Sequence, residues 1–105
     1  MVAYGIEFAH GIFLAPLSGY TSWPMRMLCR EQGAELCCTE MISASGLVRS
    51  ARGVRPITAR PEADRPLIAQ IFTASPEEGA LAARMLEDGG FDGIAHAGVA
   101  VITCM

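Results

Sequence analysis

The 105-residue sequence lacks lysine, long apolar runs and paired cysteine motifs. No stretch reaches the roughly 18 uninterrupted apolar residues that mark a membrane-spanning helix, so no span is expected. The opening residues, MVAYGIEFAHG, carry no basic segment followed by a long apolar stretch. A signal peptide is therefore not expected, and a cytoplasmic location is. Cys29, Cys37, Cys38 and Cys104 form no C-x-x-C pair, and the two histidines lie far from them. That spacing argues against a zinc site, so no metal is expected. Cys37 and Cys38 are adjacent on an expected strand and should point to opposite faces, as buried, reduced thiols.

Positive charge is also scarce. All eight basic residues are arginine, against eleven acidic ones, for a net charge of -3. This argues against a strong grip on nucleic acid over the whole surface. Arg49, Arg52, Arg55, Arg60 and Arg65 nevertheless cluster in residues 49–65. The cluster reads either as a solvated loop or as a phosphate-contacting patch.

What the sequence does contain is apolar material, 51% of its residues, enough for the core of one small domain. Residues 12–15 (IFLA) read as a strand ending at Pro16. Residues 22–32 read as a helix, with Ser22 as N-cap, Pro24 in the first turn and Gly33 closing it. Met25, Leu28 and Cys29 give this helix an apolar stripe, which places Arg26, Arg30 and Glu31 toward water. Residues 35–39 read as a second strand and 43–50 as a short helix weakened by Gly46. Residues 52–66, with three prolines, read as a connecting loop. Residues 67–72 (LIAQIF) form a third strand buried on both faces. Ser75, Pro76 and Glu78 form a capping box for the next helix, whose inner stripe is Leu81, Ala82, Met85 and Leu86. Gly89 and Gly90 end it, and residues 91–95 begin a fourth strand.

Apolar strands alternating with helices imply a parallel sheet. Right-handed crossovers leave an open doubly wound sheet or part of a (β/α)8 barrel. The absence of G-x-G-x-x-G after the first strand disfavours a dinucleotide-type open sheet. In either fold ligands sit at the C-terminal ends of strands. Those ends carry Pro16, Leu17, Ser18 and Gly19, then Glu40 and Met41, then Gln70. Pro16 stiffens the strand exit, and Ser18 and Gly19 permit close backbone approach to a ligand. Gln70 shares a face with Ile68 and Phe72. Its amide offers donors and acceptors suited to the edge of a planar heterocycle, or it is satisfied by neighbouring backbone. Glu40 reads as an ordinary loop or cap contact.

Three segments carry a resemblance. LAPLSGYTSWPMRMLCREQGA, CTEMISASGLV and RPLIAQIFTASPEEGALAARMLEDGGFDGI, in this order, resemble the tRNA-dihydrouridine synthases over roughly residues 12–94. The family's opening motif looks like A-P-M-A-G-[VY]-T-D-x-P-F-R, followed by L-C-R-E-x-G-A. Here Leu17 replaces the Met, Ser18 the Ala and Ser22 the Asp. The T-E-M and V-Q-[LI]-x-G motifs appear as Thr39-Glu40-Met41 and Ala69-Gln70-Ile71.

The resemblance implies an FMN-containing TIM barrel that reduces uridine in tRNA to dihydrouridine with NADPH or NADH. Pro16, Leu17 and Ser18 would line the flavin, and Gln70 would hydrogen-bond its ring system. The family's proton-donor cysteine, in D-I-N-x-G-C-P, falls at Ala100, which has no proton to give. Cys104 lies four residues further on with no proline after it. Neither Cys104 nor His96 takes that role, so no catalytic residue is assigned.

A full (β/α)8 barrel needs ~250 residues. The expected fold is therefore the N-terminal half of such a barrel, about four parallel strands with intervening helices. Residues 1–94 would be a partial FMN-binding domain and residues 95–105 a divergent apolar tail. The family's later phosphate-gripping residues, its catalytic-face lysine and histidine, and its helical RNA-binding domain have no counterpart in these residues. Little or no synthase activity is expected of the chain alone, and its open sheet edges are an aggregation hazard. Two alternatives stand beside this reading. One is a non-catalytic FMN-binding half-barrel that pairs with a second copy. The other is a flavin oxidoreductase acting on a small molecule, which the density of matching motifs disfavours.

Overall fold

A computed structural model describes residues 2–50, 58–97 and 102–104. Tyr4 and Gly5 both adopt positive φ, 52° and 73°, between strands β1 (Val2–Ala3) and β2 (Ile6–Glu7). Two central residues of that kind give the turn whose twist matches an antiparallel pair. Val2 accordingly lies opposite Glu7, and Ala3 opposite Ile6. This hairpin was not expected, because its strands are too short to show a period.

The remaining elements alternate. They are β3 (Phe13–Leu14), α1 (Trp23–Glu31), β4 (Leu36–Ser43), α2 (Ala44–Val48), β5 (Leu67–Phe72), α3 (Pro76–Asp88), β6 (Gly93–Ala97) and β7 (Ile102–Cys104). One sheet takes the strands in the order β3-β4-β5-β6-β7. Strands β3 to β6 are parallel, each reached through a helical connection or loop, as in part of a (β/α)8 barrel. Strand β7 departs from that pattern and runs antiparallel to β6.

The two faces of the sheet are covered differently. On one, Ile42, Ala69, Ile71 and Leu86 form a core with Leu47, Phe91 and Ile94 packed against it. This is the helix face, covered by α2 and α3. On the other, Phe8, Leu36, Ile68 and Ala95 pack with Tyr4, Ile6, Phe13 and Cys38. The hairpin therefore covers this second face, and it does so near the beginnings of β5 and β6. A Cβ on Gly93 would fall 2.5 Å from Tyr4 Cδ1 and 2.7 Å from Ile68 Cδ1. In a (β/α)8 barrel helices lie outside, so the hairpin face corresponds to the barrel interior, plugged at its N-terminal end.

Two helix faces differ from expectation. In α1, Arg26 is buried, while Met25 and Leu28 are exposed. The reason is a countercharge: Asp64, just before β5, is itself fully buried and faces both Arg26 and Arg30. Hydrophobic periodicity scores an arginine as outward and cannot register a distant carboxylate that neutralises it. In α3 the stripe is narrower than expected. Gly79, Ala82 and Leu86 are buried, whereas Leu81 and Met85 are exposed. Small residues at 79 and 82 bring the helix close; a Cβ on Gly79 would lie 2.9 Å from Thr73 Cγ2.

Other local expectations hold. Pro24 lies in the first turn of α1, although Ser22, its N-cap, makes no side-chain capping bond. Ser43 and Ser75 do cap, accepting from Gly46 N–H and Glu78 N–H. Cys37 is fully buried on β4, and burial pushes its thiol pKa up, so it is a core residue and not a thiolate. Among the described residues Cys29, Cys37 and Cys38 are free thiols. No helix among the described residues is long and apolar enough to cross a membrane.

Candidate functional site

Strand β4 changes register midway. Cys38 pairs with Ile68, but Met41 pairs with Gln70, so Thr39 and Glu40 oppose Ala69 alone. Two residues against one is a bulge, which re-aims side chains. Thr39 makes the bulge tolerable. Its hydroxyl accepts the Gln70 backbone N–H at 3.0 Å and donates to the Glu40 carbonyl at 2.8 Å. One side chain thus replaces a missing rung. The slip also brings Met41 onto the same face as Gln70, toward the C-terminal ends of the strands.

Gln70 is 4% exposed; no hydrogen bond joins its side-chain amide to another described residue, and the amide atoms are not among the fully buried side-chain atoms that lack a partner. The amide carries two donors and an acceptor that the edge of a ligand could engage. Ala95, its partner on β6, is small and itself buried.

The loop after β3 reaches the same end of the sheet. Gly19 N–H donates to Glu40 Oε2 at 2.9 Å, so Glu40 makes the loop contact expected of it. Gly19 has φ of 82°, which suits glycine. Within the loop, Leu17 N–H donates to Thr21 Oγ1 at 3.0 Å, and that hydroxyl donates back to the Leu17 carbonyl at 3.1 Å. The same carbonyl accepts the N–H groups of Tyr20 and Thr21. Leu17 and Ser18 remain exposed at the surface of this turn, with Pro16 half-buried before them. Pro16, Leu17 and Ser18 thus follow β3 on one side of β4, and Gln70 lies on β5 on its other side.

Behind the loop lies the ion cluster. Arg26 Nε donates to Asp64 Oδ2 at 2.8 Å, and Arg26 Nη1 to the Thr21 carbonyl at 2.6 Å. Arg30 Nε donates to Asp64 Oδ1 at 3.0 Å, and Arg30 Nη2 to the Pro66 carbonyl at 2.7 Å. Sequence reasoning missed Thr21, Arg26, Thr39 and Asp64. The only signal for the ion pair was an acidic residue inside a proline-rich stretch, 38 residues from its partner.

The arginine cluster is not a free patch among the described residues. Arg60 stacks on the Phe91 ring, 4.3 Å from its centroid, and donates to the Gly89 carbonyl. Arg65 pairs with Asp92 at 3.2 Å, and exposed Arg49 faces Glu78 at 3.8 Å. Arg52 and Arg55 lie outside the described residues, as does Ala100. His96 falls opposite Ile71 and Thr103 in the ladders, and Cys104 opposite Ala95. At the other end of the sheet, Glu35 accepts from the N–H groups of Ala9, His10 and Gly11 and anchors the approach to β3. Among the described residues no group of three or more His, Cys, Asp or Glu is placed to hold a metal ion.

A family model described as Dihydrouridine synthase (Dus) matches residues 13–95, from the first residue of β3 to the middle of β6. The chain belongs to the dihydrouridine synthase family. Three curated relatives agree. A probable tRNA-dihydrouridine synthase of Aquifex aeolicus is 39% identical over 67 residues, which is 64% of this chain and 21% of that protein. Another, of Treponema pallidum, is 29% identical over 77 residues, 73% of this chain and 23% of that protein. The tRNA-dihydrouridine synthase B of Pseudomonas syringae pv. tomato is 39% identical over 46 residues, 44% of this chain and 14% of that protein. The chain thus spans about a fifth of the length of the first two relatives. The dihydrouridine synthase match contains the whole candidate site, from Pro16 to Gln70, and stops before the antiparallel strand β7.

Proposed function

We propose that these residues form the first half of the barrel of an FMN-dependent tRNA-dihydrouridine synthase, with NADPH or NADH as reductant, acting in the cytoplasm. The observation that carries the flavin reading is the position of Gln70, 4% exposed and with no hydrogen bond from its amide to another described residue, toward the C-terminal end of β5 on the hairpin face. A planar isoalloxazine edge, which alternates carbonyl acceptors and an N–H donor, fits such an amide. Pro16, Leu17 and Ser18 would line the same flavin from the β3 side, and Gln70 would orient it. When bound, FMN would supply the hydride chemistry, and the protein would supply placement and shielding from water.

The 105-residue chain alone is proposed to hold FMN but not to reduce uridine. The family's proton-donor position falls at Ala100, and the chain spans about a fifth of its relatives. The test is direct: incubate the purified chain with FMN, NADPH and unmodified tRNA, and assay for dihydrouridine. The expected result is bound flavin and no product. Robust product formation, abolished by Gln70→Ala, would overturn the inactivity and keep the site.

A second reading is favoured by one observation. Strand β3 is a sheet edge, and beside it lies an apolar groove of about 340 Å³ lined by residues such as Ile12, Leu14, Leu28 and Cys29. A second copy covering that edge would make a non-catalytic, flavin-binding pair of half-barrels. Light scattering on the purified chain tests it; a monomer that binds FMN would eliminate the pairing.

A further inference from the structure

The turn proposed to line the flavin is held by residues that would not touch it. Thr21 and Arg26 are each 1% exposed. Both polar contacts of the Thr21 hydroxyl go to Leu17, one to its N–H and one to its carbonyl. The Leu17 residue is exposed, but both of these hydrogen bonds are part-buried. The hydroxyl therefore closes the turn on itself and fixes its orientation. Thr21 is itself pinned, because Arg26 donates to its carbonyl while also paired with Asp64. Asp64 shares its other oxygen with Arg30, which binds the carbonyl of Pro66, the residue that leads into β5.

One buried carboxylate therefore ties the Leu17–Ser18 turn to the strand that carries Gln70. We propose that Thr21 and Arg26 are positioning residues, which hold the turn against β5 so that both sides of the flavin site are set before ligand arrives. Preorganisation of this kind raises affinity by removing an ordering cost from the binding step. The inference rests on the flavin reading given above and assigns roles to residues outside the lining set.

Two variants of the 105-residue chain test it. Thr21→Val keeps the shape and removes the hydroxyl, whereas Thr21→Ser keeps the hydroxyl. FMN affinity is read by flavin fluorescence, and backbone order by amide hydrogen exchange. Thr21→Val should bind FMN about tenfold more weakly, as loss of the two orienting hydrogen bonds to Leu17 implies. Exchange at Leu17 should accelerate while the amides of β4 and β5 keep wild-type protection, and Thr21→Ser should restore both readings. Wild-type FMN affinity in Thr21→Val would overturn the positioning role and leave the flavin reading standing. Accelerated exchange throughout the sheet would show a general structural role and also overturn it. Failure of the wild-type chain to bind FMN would refute the flavin reading, and the positioning role with it.

Discussion

The backbone N–H of Gln70 is held by the hydroxyl of Thr39, 3.0 Å away across a two-against-one bulge. The bulge places Met41 beside Gln70 on one face of the sheet. Thr39→Val should leave the Gln70 N–H without an acceptor in a buried ladder, at a cost of about 1–3 kcal/mol. Urea unfolding measures this, and Thr39→Ser should recover most of the loss. Equal stability of Thr39→Val and wild type would contradict the role given to the hydroxyl.

Asp64 faces two arginines from a fully buried position. Asp64→Ala would strand their charges, and breaking a buried pair in this way costs about 3–5 kcal/mol. Arg49→Ala, at an exposed and long contact, should change stability by less than about 1 kcal/mol. Denaturation midpoints for the two variants should therefore differ widely. Similar midpoints would show that the buried cluster is not what holds α1 to the segment before β5.

Gly93 is where the N-terminal hairpin meets the sheet. A methyl group there would meet the Tyr4 ring and Ile68 at less than 3 Å. Gly93→Ala should cost about 1–3 kcal/mol through overpacking. Near-UV circular dichroism should also change as Tyr4 is displaced. If the variant is as stable as wild type, the hairpin does not plug this face.

Glu35 provides the pH-dependent contact. Partial desolvation acts to raise its carboxyl pKa, but the N–H groups of Gly11, His10 and Ala9, together with the charge of His10, outweigh it and hold the pKa below the usual range. The unfolded chain therefore binds the proton more readily. The clamp's contribution is complete above the ordinary carboxylate pKa of about 4.3. It declines as pH falls through the lowered folded value and is gone below it. Amide shifts of Ala9, His10 and Gly11 should follow that acid transition together, and Glu35→Gln should abolish it.

Much of the architecture was legible in the sequence because it rests on local signals. Apolar runs marked β4 and β5, Ser75 and Pro76 marked the start of α3, and alternation of strands with helices marked a parallel sheet. The motif segments marked the proposed candidate site, from Pro16–Ser18 to Gln70. Long-range polar pairing was not legible. Arg26 looks outward to any periodicity until Asp64 is known to sit against it, and the Thr39 bulge leaves no trace in the pattern of β4. The β1–β2 hairpin escaped notice because two-residue strands carry no period, and its turn rests on the positive φ of Tyr4 and Gly5.

The proposed flavin site is organised around Gln70, toward the C-terminal end of β5. Its most direct measurement is a titration of FMN with the purified chain, wild type against Gln70→Ala, followed by flavin fluorescence. Saturable quenching by wild type, with affinity reduced about tenfold or more in the variant, is the predicted result. Unchanged fluorescence with wild type, or equal affinity in the two proteins, would contradict the account.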